Sequence, residues 1–166
     1  MLFRSPGHLA TDSETIYLTV ADRHGNMISF INSIFGYFGS RTVVPGTGLV
    51  LQNRGAGFTI EDGHPNQIAP NKRPLHTIIP AFVTKDGEPW LSYGVMGGSM
   101  QPQGHVQVLL NMVEFGMDPQ EAIDAARFRH LSGTAVAIEN LDPEVAAALE
   151  ALGHELRSEE HTSELQ

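Results

Sequence analysis

Thr15 opens the run Thr15-Ile16-Tyr17-Leu18-Thr19-Val20 directly after a polar lead-in, Thr11-Asp12-Ser13-Glu14. A threonine hydroxyl attacks a carbonyl only when a base takes its proton, and the neighbouring sequence offers no evident His or Lys for that task. One chemical solution is a chain cut just before the residue, which frees an α-amine of pKa ~8 to act as the base. Such a nucleophile belongs at the start of a strand, with its side chain held at the sheet edge; an ordinary strand threonine fits the same description. A second candidate is Gly97-Gly98 in "VMGGSM", between a strand-like and a helix-like segment. Two N–H groups with no Cβ in front of them could face a developing oxyanion, reinforced by the helix terminus that follows. A plain strand-to-helix turn reads the same way. A phosphate loop is disfavoured, because "GGSMQPQG" has neither glycine spacing such loops use.

Other polar clusters are weaker. His64, His76, His105 and His130 lie far apart, with no H-x-x-x-H or H-E-x-x-H spacing, so the sequence implies no metal site and no cofactor. "NKRPLHT", residues 71–77, gathers two cations, a rigid proline, His76 and Thr77 before an apolar strand. It could hold a carboxylate through Thr77 and His76, or form a solvated loop tip.

The elements that must position these residues follow from periodicity and turn chemistry. Residues 15–30 read as a β-hairpin about Asp22-Arg23-His24-Gly25-Asn26, and residues 35–48 as Gly-rich turns. "LVLQN", residues 49–53, reads as a short buried strand. A loop with three prolines and three glycines spans residues 54–74, and loops of about this length in compact domains are usually functional or mobile. Two strands flank Lys85-Asp86-Gly87-Glu88. Val106, Leu109, Leu110 and Val113 recur at helical spacing ahead of Gly116. Asp118-Pro119 and Asp142-Pro143 each open a further helix, with strand character near "TAVAIEN". Strands early and helices late predict an antiparallel sheet covered by helices rather than a βαβ repeat.

Composition bounds the function. The chain has 166 residues, 41% of them apolar and 17% charged, the profile of a globular protein with a sizeable core. A net charge of −9 argues against a nucleic-acid surface, and no apolar run approaches the length of a membrane span. The absence of cysteine excludes disulfides, thiolate nucleophiles and Cys-ligated zinc. "RSEEHTSELQ", residues 157–166, is the in-frame translation of a common short-read sequencing adapter and is expected to be foreign to the natural chain.

Four blocks in one order, "TIYLTVADRHGN", "FGSRTVVPGTGLVLQN", "APNKRPLHTIIPAFVTKDGEPWLSYGVMGGS" and "EAIDAARFRH", resemble the small-subunit half of the γ-glutamyltransferase family of N-terminal nucleophile hydrolases. The likeness runs from Thr15 to Leu156. It implies an α+β fold, part of an αββα sandwich, made as one precursor that cleaves itself to expose a catalytic threonine. Residues 1–14 would be the remnant before the cut and residues 15–156 the catalytic portion. By the same likeness, Thr15 matches the nucleophile, and Ser33 stands where the family has a second Thr that bonds to it. Gly97 and Gly98 match the oxyanion-hole glycines. His76 and Thr77 occupy the positions of paired serines that bind the substrate carboxylate; only Thr77 keeps a hydroxyl.

Two departures bear on substrate. Phe35 stands where an Asn is common. After "LQN" the family offers Gln and then an Asp that pairs with the α-ammonium of the glutamyl group, whereas this chain runs Arg54-Gly55-Ala56-Gly57, with no acid. The resemblance implies hydrolysis or transfer of γ-glutamyl amides such as glutathione. Arg54 would better suit a plain dicarboxylate-derived acyl group such as glutaryl, as in the cephalosporin-acylase-like members, and a catalytically dead binding homologue is a third reading. The expected partner is the large-subunit half of the same precursor, without which this portion is expected to be inactive. Localisation is not legible, since a signal segment would precede that half.

Overall fold

The computed structural model describes residues 13–158; residues 1–12 of the expected remnant before the cut and residues 159–166 of the adapter-like tail lie outside the described residues. β1 (Ser13–Ala21) and β2 (Met27–Gly36) form the first hairpin. Its turn is held by the Asp22 carboxylate, which accepts from the His24 and Asn26 backbone N–H groups and from the Asn26 side chain at 2.7–3.0 Å. Those three donors favour the charged form and lower the Asp22 pKa, the Asn26 side chain most.

The two-residue period of a strand sorts this hairpin into unlike faces. Ile16, Leu18 and Val20 of β1, with Ile28 and Phe30 of β2, share one face and are all exposed. Thr15, Tyr17 and Thr19 share the other with Ser29 and Ser33. There Tyr17 is buried, and its hydroxyl bonds to Ser29 Oγ at 2.9 Å and to Ser92 Oγ at 3.0 Å. Thr19 Oγ1 also donates to Ser92, at 2.8 Å. Ser92 lies in β4 (Glu88–Tyr93), which pairs antiparallel with β3 (Ala81–Lys85). Hydroxyl contacts therefore dock the first hairpin on the second.

The expected strand over residues 49–53 does not form. The Pro45-Gly46-Thr47-Gly48 turn folds the segment back on itself, leaving a ribbon with one bridge, Val43 to Val50, and bonds from Val44 N to Leu49 O and from Leu51 N to Thr42 O. A short 3₁₀ turn, Arg54–Gly57, starts the long loop.

α1 (Met100–Val113) forms where the helical spacing placed it. Val106, Leu110 and Val113 face outward, while Met100, Gln101, Gly104, His105 and Val108 are buried. Gly104 is required there, since a Cβ would meet the Val95 side chain at 2.8 Å. His105 bonds through Nδ1 to the Gln101 carbonyl, and its ring lies 5.0 Å from that of Tyr93, whose hydroxyl donates to the His105 carbonyl at 2.8 Å.

α2 (Pro119–Asp124) carries a full capping box between Asp118 and Glu121. β5 (Arg127–Ser132) pairs antiparallel with β6 (Ala135–Glu139), clamped by Arg127–Glu139 at 2.9 Å. α3 (Pro143–Ala151) then leads to β7 (Glu155–Ser158), which runs parallel to β6. This β-α-β crossover departs from the all-antiparallel expectation, because a helix of nine residues between the strands returns the chain in the same direction. Arg157 and Ser158, the first residues of the segment read above as adapter-derived, pair with Ala137 and Ile138. No helix among the described residues is long and apolar enough to cross a membrane.

Two expectations follow. Gly94 lies under Tyr17, and a Cβ there would come within 2.7 Å of the ring Cε2 and closer to its neighbours. Gly94→Ala should therefore cost about 1–3 kcal/mol in chemical denaturation of the full-length protein; unchanged stability would mean the Tyr17 dock is loose. Burial, outweighing upward pulls from the Gln101 and Ile79 backbones, holds the His105 pKa below 6.5. A depressed folded pKa gives stability that is complete above 6.5 and lost as pH falls through the folded value. The unfolding midpoint should drop on acidification from neutrality, and His105→Gln should flatten that part of the profile.

Candidate active site

Thr15 and Ser33 are register partners at the open end of the first hairpin. The pairing then slips: Glu14 faces Phe35, so Ile34 is an extra residue on β2. Bulges of this kind bend a strand and re-aim its side chains. Phe35, just beyond, takes φ 76°, a left-handed conformation uncommon for a bulky residue. Asn53 holds the distortion in place: its side-chain oxygen accepts from Gly36 N at 2.9 Å, and its own N–H donates to Ile34 O at 3.2 Å.

Ser33 Oγ is the hub. It accepts from Thr15 Oγ1 at 3.2 Å, from Phe35 N at 3.1 Å and from Arg54 Nη2 at 2.8 Å. Arg54 is only 7% exposed, and its guanidinium carbon lies 4.9 Å from the centre of the Phe35 ring. Arg54 is thus a buried cation set against the Ser33 hydroxyl and the Phe35 ring. Burial pulls its pKa below the ordinary guanidinium range. Its backbone N–H is held by the Gln52 side chain.

A second group gathers at the start of α1. Gly97 and Gly98 adopt φ 99° and 58°, and their carbonyls accept from Met100 N and Gln101 N as the helix begins. The fully buried Gln101 accepts from Ile79 N at 3.2 Å, which ties the segment carrying Thr77 to this helix. Thr77 Oγ1 is buried with no hydrogen-bond partner among the described residues. His76 is exposed. The two groups share one support: β1 docks through Tyr17 and Thr19 on Ser92 of β4, and the chain from β4 runs directly into Gly97 and Gly98.

Of the residues singled out in the sequence, Thr15, Ser33 and Arg54 thus form one hydrogen-bonded chain, while Thr77, Gly97 and Gly98 flank the head of α1. Sequence reasoning missed Asn53, Tyr17 and Gln101. Tyr17 carried a signal in its alternation with Thr15 and Thr19. Asn53 and Gln101 act across gaps of 17 and 22 residues, which no local pattern reports.

The family model described as gamma-glutamyltranspeptidase matches residues 4–166. The glutathione hydrolase-like YwrD proenzyme of Bacillus subtilis (strain 168) is 43% identical over 116 residues, covering 70% of this chain and 22% of that protein. The oxamate amidohydrolase proenzyme of Klebsiella pneumoniae subsp. pneumoniae is 39% identical over 115 residues, covering 69% of this chain and 22% of that protein. Among solved structures, cephalosporin acylase from Bacillus halodurans superposes with a TM-score of 0.83 at 46% identity, over 89% of this chain and 28% of that one. The chain therefore spans less than a quarter of the length of either curated relative.

Proposed function

The chain belongs to the gamma-glutamyltranspeptidase family, and from that premise we propose that it is the nucleophile-bearing portion of an amide acyltransferase or hydrolase in which Thr15 forms the acyl-enzyme. Its fold is the α+β fold of the N-terminal nucleophile hydrolases, in part. The observation that carries the reading is the chain Thr15 Oγ1–Ser33 Oγ–Arg54 Nη2 at the bulged end of the first hairpin. A hydroxyl held by a second hydroxyl next to a fixed positive charge is better able to bear developing negative charge than one in water.

In this reading the Thr15 oxygen first attacks the Glu14 carbonyl. The acyl group moves from nitrogen to oxygen, and water hydrolyses the resulting ester to free the Thr15 amine. With an amide substrate, the Thr15 oxygen attacks the carbonyl carbon and its proton passes to that amine. The Gly97 and Gly98 N–H groups receive the oxyanion. The C–N bond breaks as the amine returns the proton to the leaving nitrogen, and water or an acceptor amine then cleaves the acyl ester. Thr77, with His76 at the rim, would meet the substrate carboxylate, which suits the unpartnered Thr77 hydroxyl.

For the acyl group, γ-glutamyl amides such as glutathione are the first reading, in line with the glutathione hydrolase-like relative. Arg54, with no acid in residues 54–57, favours a second: an acyl group whose far end is a carboxylate without an α-ammonium, such as glutaryl, in line with the cephalosporin acylase and oxamate amidohydrolase relatives. The partner is the remaining part of the same precursor. The exposed Ile16, Leu18, Val20, Ile28 and Phe30 face, and the outward Val106, Leu110 and Val113 of α1, are the surfaces it would cover.

Intact mass spectrometry of the full-length precursor tests the nucleophile. Wild type should yield a fragment beginning at Thr15, and Thr15→Ala should stay whole. A wild type that remains in one piece supports the inactive-homologue reading instead. In matured enzyme, Gly97→Ala should reduce kcat on the order of 10²–10³-fold, since a side chain at φ 99° is strained and displaces the N–H; an unchanged kcat would remove Gly97 from the oxyanion hole.

A further inference from the structure

We propose that Gln101 is a positioning residue that fixes where a substrate's carboxylate is held relative to where its carbonyl reacts, by tying the stretch that carries Thr77 to the head of α1 behind Gly97 and Gly98. The inference rests on the acyl-transfer reading of Thr15 and adds to it a side chain that acts through its neighbours.

The first ground is the residue type. Gln101 is 0% exposed, as are Met100 and Val95, which are apolar. Its Nε2 has no hydrogen-bond partner among the described residues, while its Oε1 accepts from Ile79 N at 3.2 Å. A buried amide with an unmet donor is destabilising, and a methionine of similar volume would avoid that penalty. The amide is therefore explained by its acceptor half, the oxygen that meets Ile79.

The second ground is that the Thr77 stretch has no ladder of its own. Residues 75–79 lie outside every strand and helix among the described residues, and Pro74 and Pro80 at its flanks bring no N–H. Side-chain amides pin it instead: Asn66 Oδ1 accepts from Leu75 N at 3.2 Å and Gln101 Oε1 from Ile79 N, with Thr77 midway between them. The Asn66 pin joins the stretch to its own loop. The Gln101 pin joins it to α1.

The third ground is what lies at the other end of that bond. The Gln101 main chain is held on both sides: its N–H donates to Gly98 O at 3.1 Å, and its carbonyl meets His105 Nδ1. Met100 N donates to Gly97 O at 3.0 Å. In a trans peptide the carbonyl and the N–H point opposite ways. Drawing the Gly97 carbonyl into the helix start therefore turns the Gly98 N–H away from the helix, as an oxyanion donor must be. The Gln101 backbone thus braces the glycines that receive the oxyanion in this reading, and its side chain sets how far from them Thr77 stands. A shift in that separation weakens productive binding, because the reacting atoms must meet at ~3–3.5 Å while the carboxylate is held.

The test compares wild type, Gln101→Met and Gln107→Met in matured full-length protein. Gln107 lies on the same helix, and its amide bonds both backbone groups of Phe128, so its loss reads a general loosening of α1. Hydrolysis of glutaryl and γ-glutamyl p-nitroanilides, which carry a carboxylate, is set against butyryl p-nitroanilide, which has none, with kcat and KM resolved. Gln101→Met should lower the carboxylate-to-butyryl ratio of kcat/KM at least ~10-fold, mainly through KM, and Gln107→Met should leave it within ~2-fold of wild type. Amide hydrogen exchange reads the pin without turnover: Ile79 should exchange at least ~10-fold faster in Gln101→Met, and at the wild-type rate in Gln107→Met. An unchanged ratio or unchanged Ile79 exchange in Gln101→Met, or an equal fall of the ratio in both variants, would overturn the proposal. If wild type neither cleaves before Thr15 nor turns over, the acyl-transfer reading fails, while exchange on the uncleaved chain still decides the pin. Should Gln101→Met not fold, Gln101→Asn, whose amide sits one carbon short of Ile79, carries both comparisons. The same changes are then expected, and wild-type values would contradict the proposal.

Discussion

The period of two along β1 is the constraint on which the site depends. It turns Thr15, Tyr17 and Thr19 to one side and Ile16, Leu18 and Val20 to the other. Tyr17 fixes that side against Ser92, so the direction of the Thr15 hydroxyl is decided two residues away by a buried phenol and a neighbouring hairpin. A register slip of one residue would send Thr15 to the apolar face. The bulge at Ile34 lies beyond Thr15 rather than before it, so the ladder stays regular through the residue that matters and breaks only at Glu14.

Placing a cation next to that hydroxyl follows from the same local distortion. The bulge throws Phe35 into a left-handed backbone, Asn53 pins the strand end, and Arg54, next in sequence, is delivered onto the Phe35 ring and Ser33. Three residues that look unrelated in the sequence thus share one cause. The result is a largely buried guanidinium set against the hydroxyl that Thr15 also meets.

Much of this was legible before the structure, where a local rule sufficed. The Asp22–Asn26 turn, the hairpin at Asp86-Gly87 and the Asp118-Pro119 helix start all follow from turn and cap chemistry, and each formed as read. The resemblance located the pairing of Thr15 with Ser33. Failures came where a layer outside the local window decides. The parallel β6–β7 pair depends on where α3 returns the chain, and residues 49–53 fold back rather than extend. The Arg54–Ser33 bond spans 21 residues through a ribbon and a 3₁₀ turn, so the sequence showed a cation of unusual type but not what it would touch.

The measurement that bears most directly on this account is a rapid-quench trapping of the acyl-enzyme in matured full-length protein, followed by peptide mapping. The account predicts an acid-stable, base-labile ester on the Thr15 oxygen, formed before amine or water releases it. An acyl group found on another side chain, or turnover with no covalent adduct at any time, would contradict it.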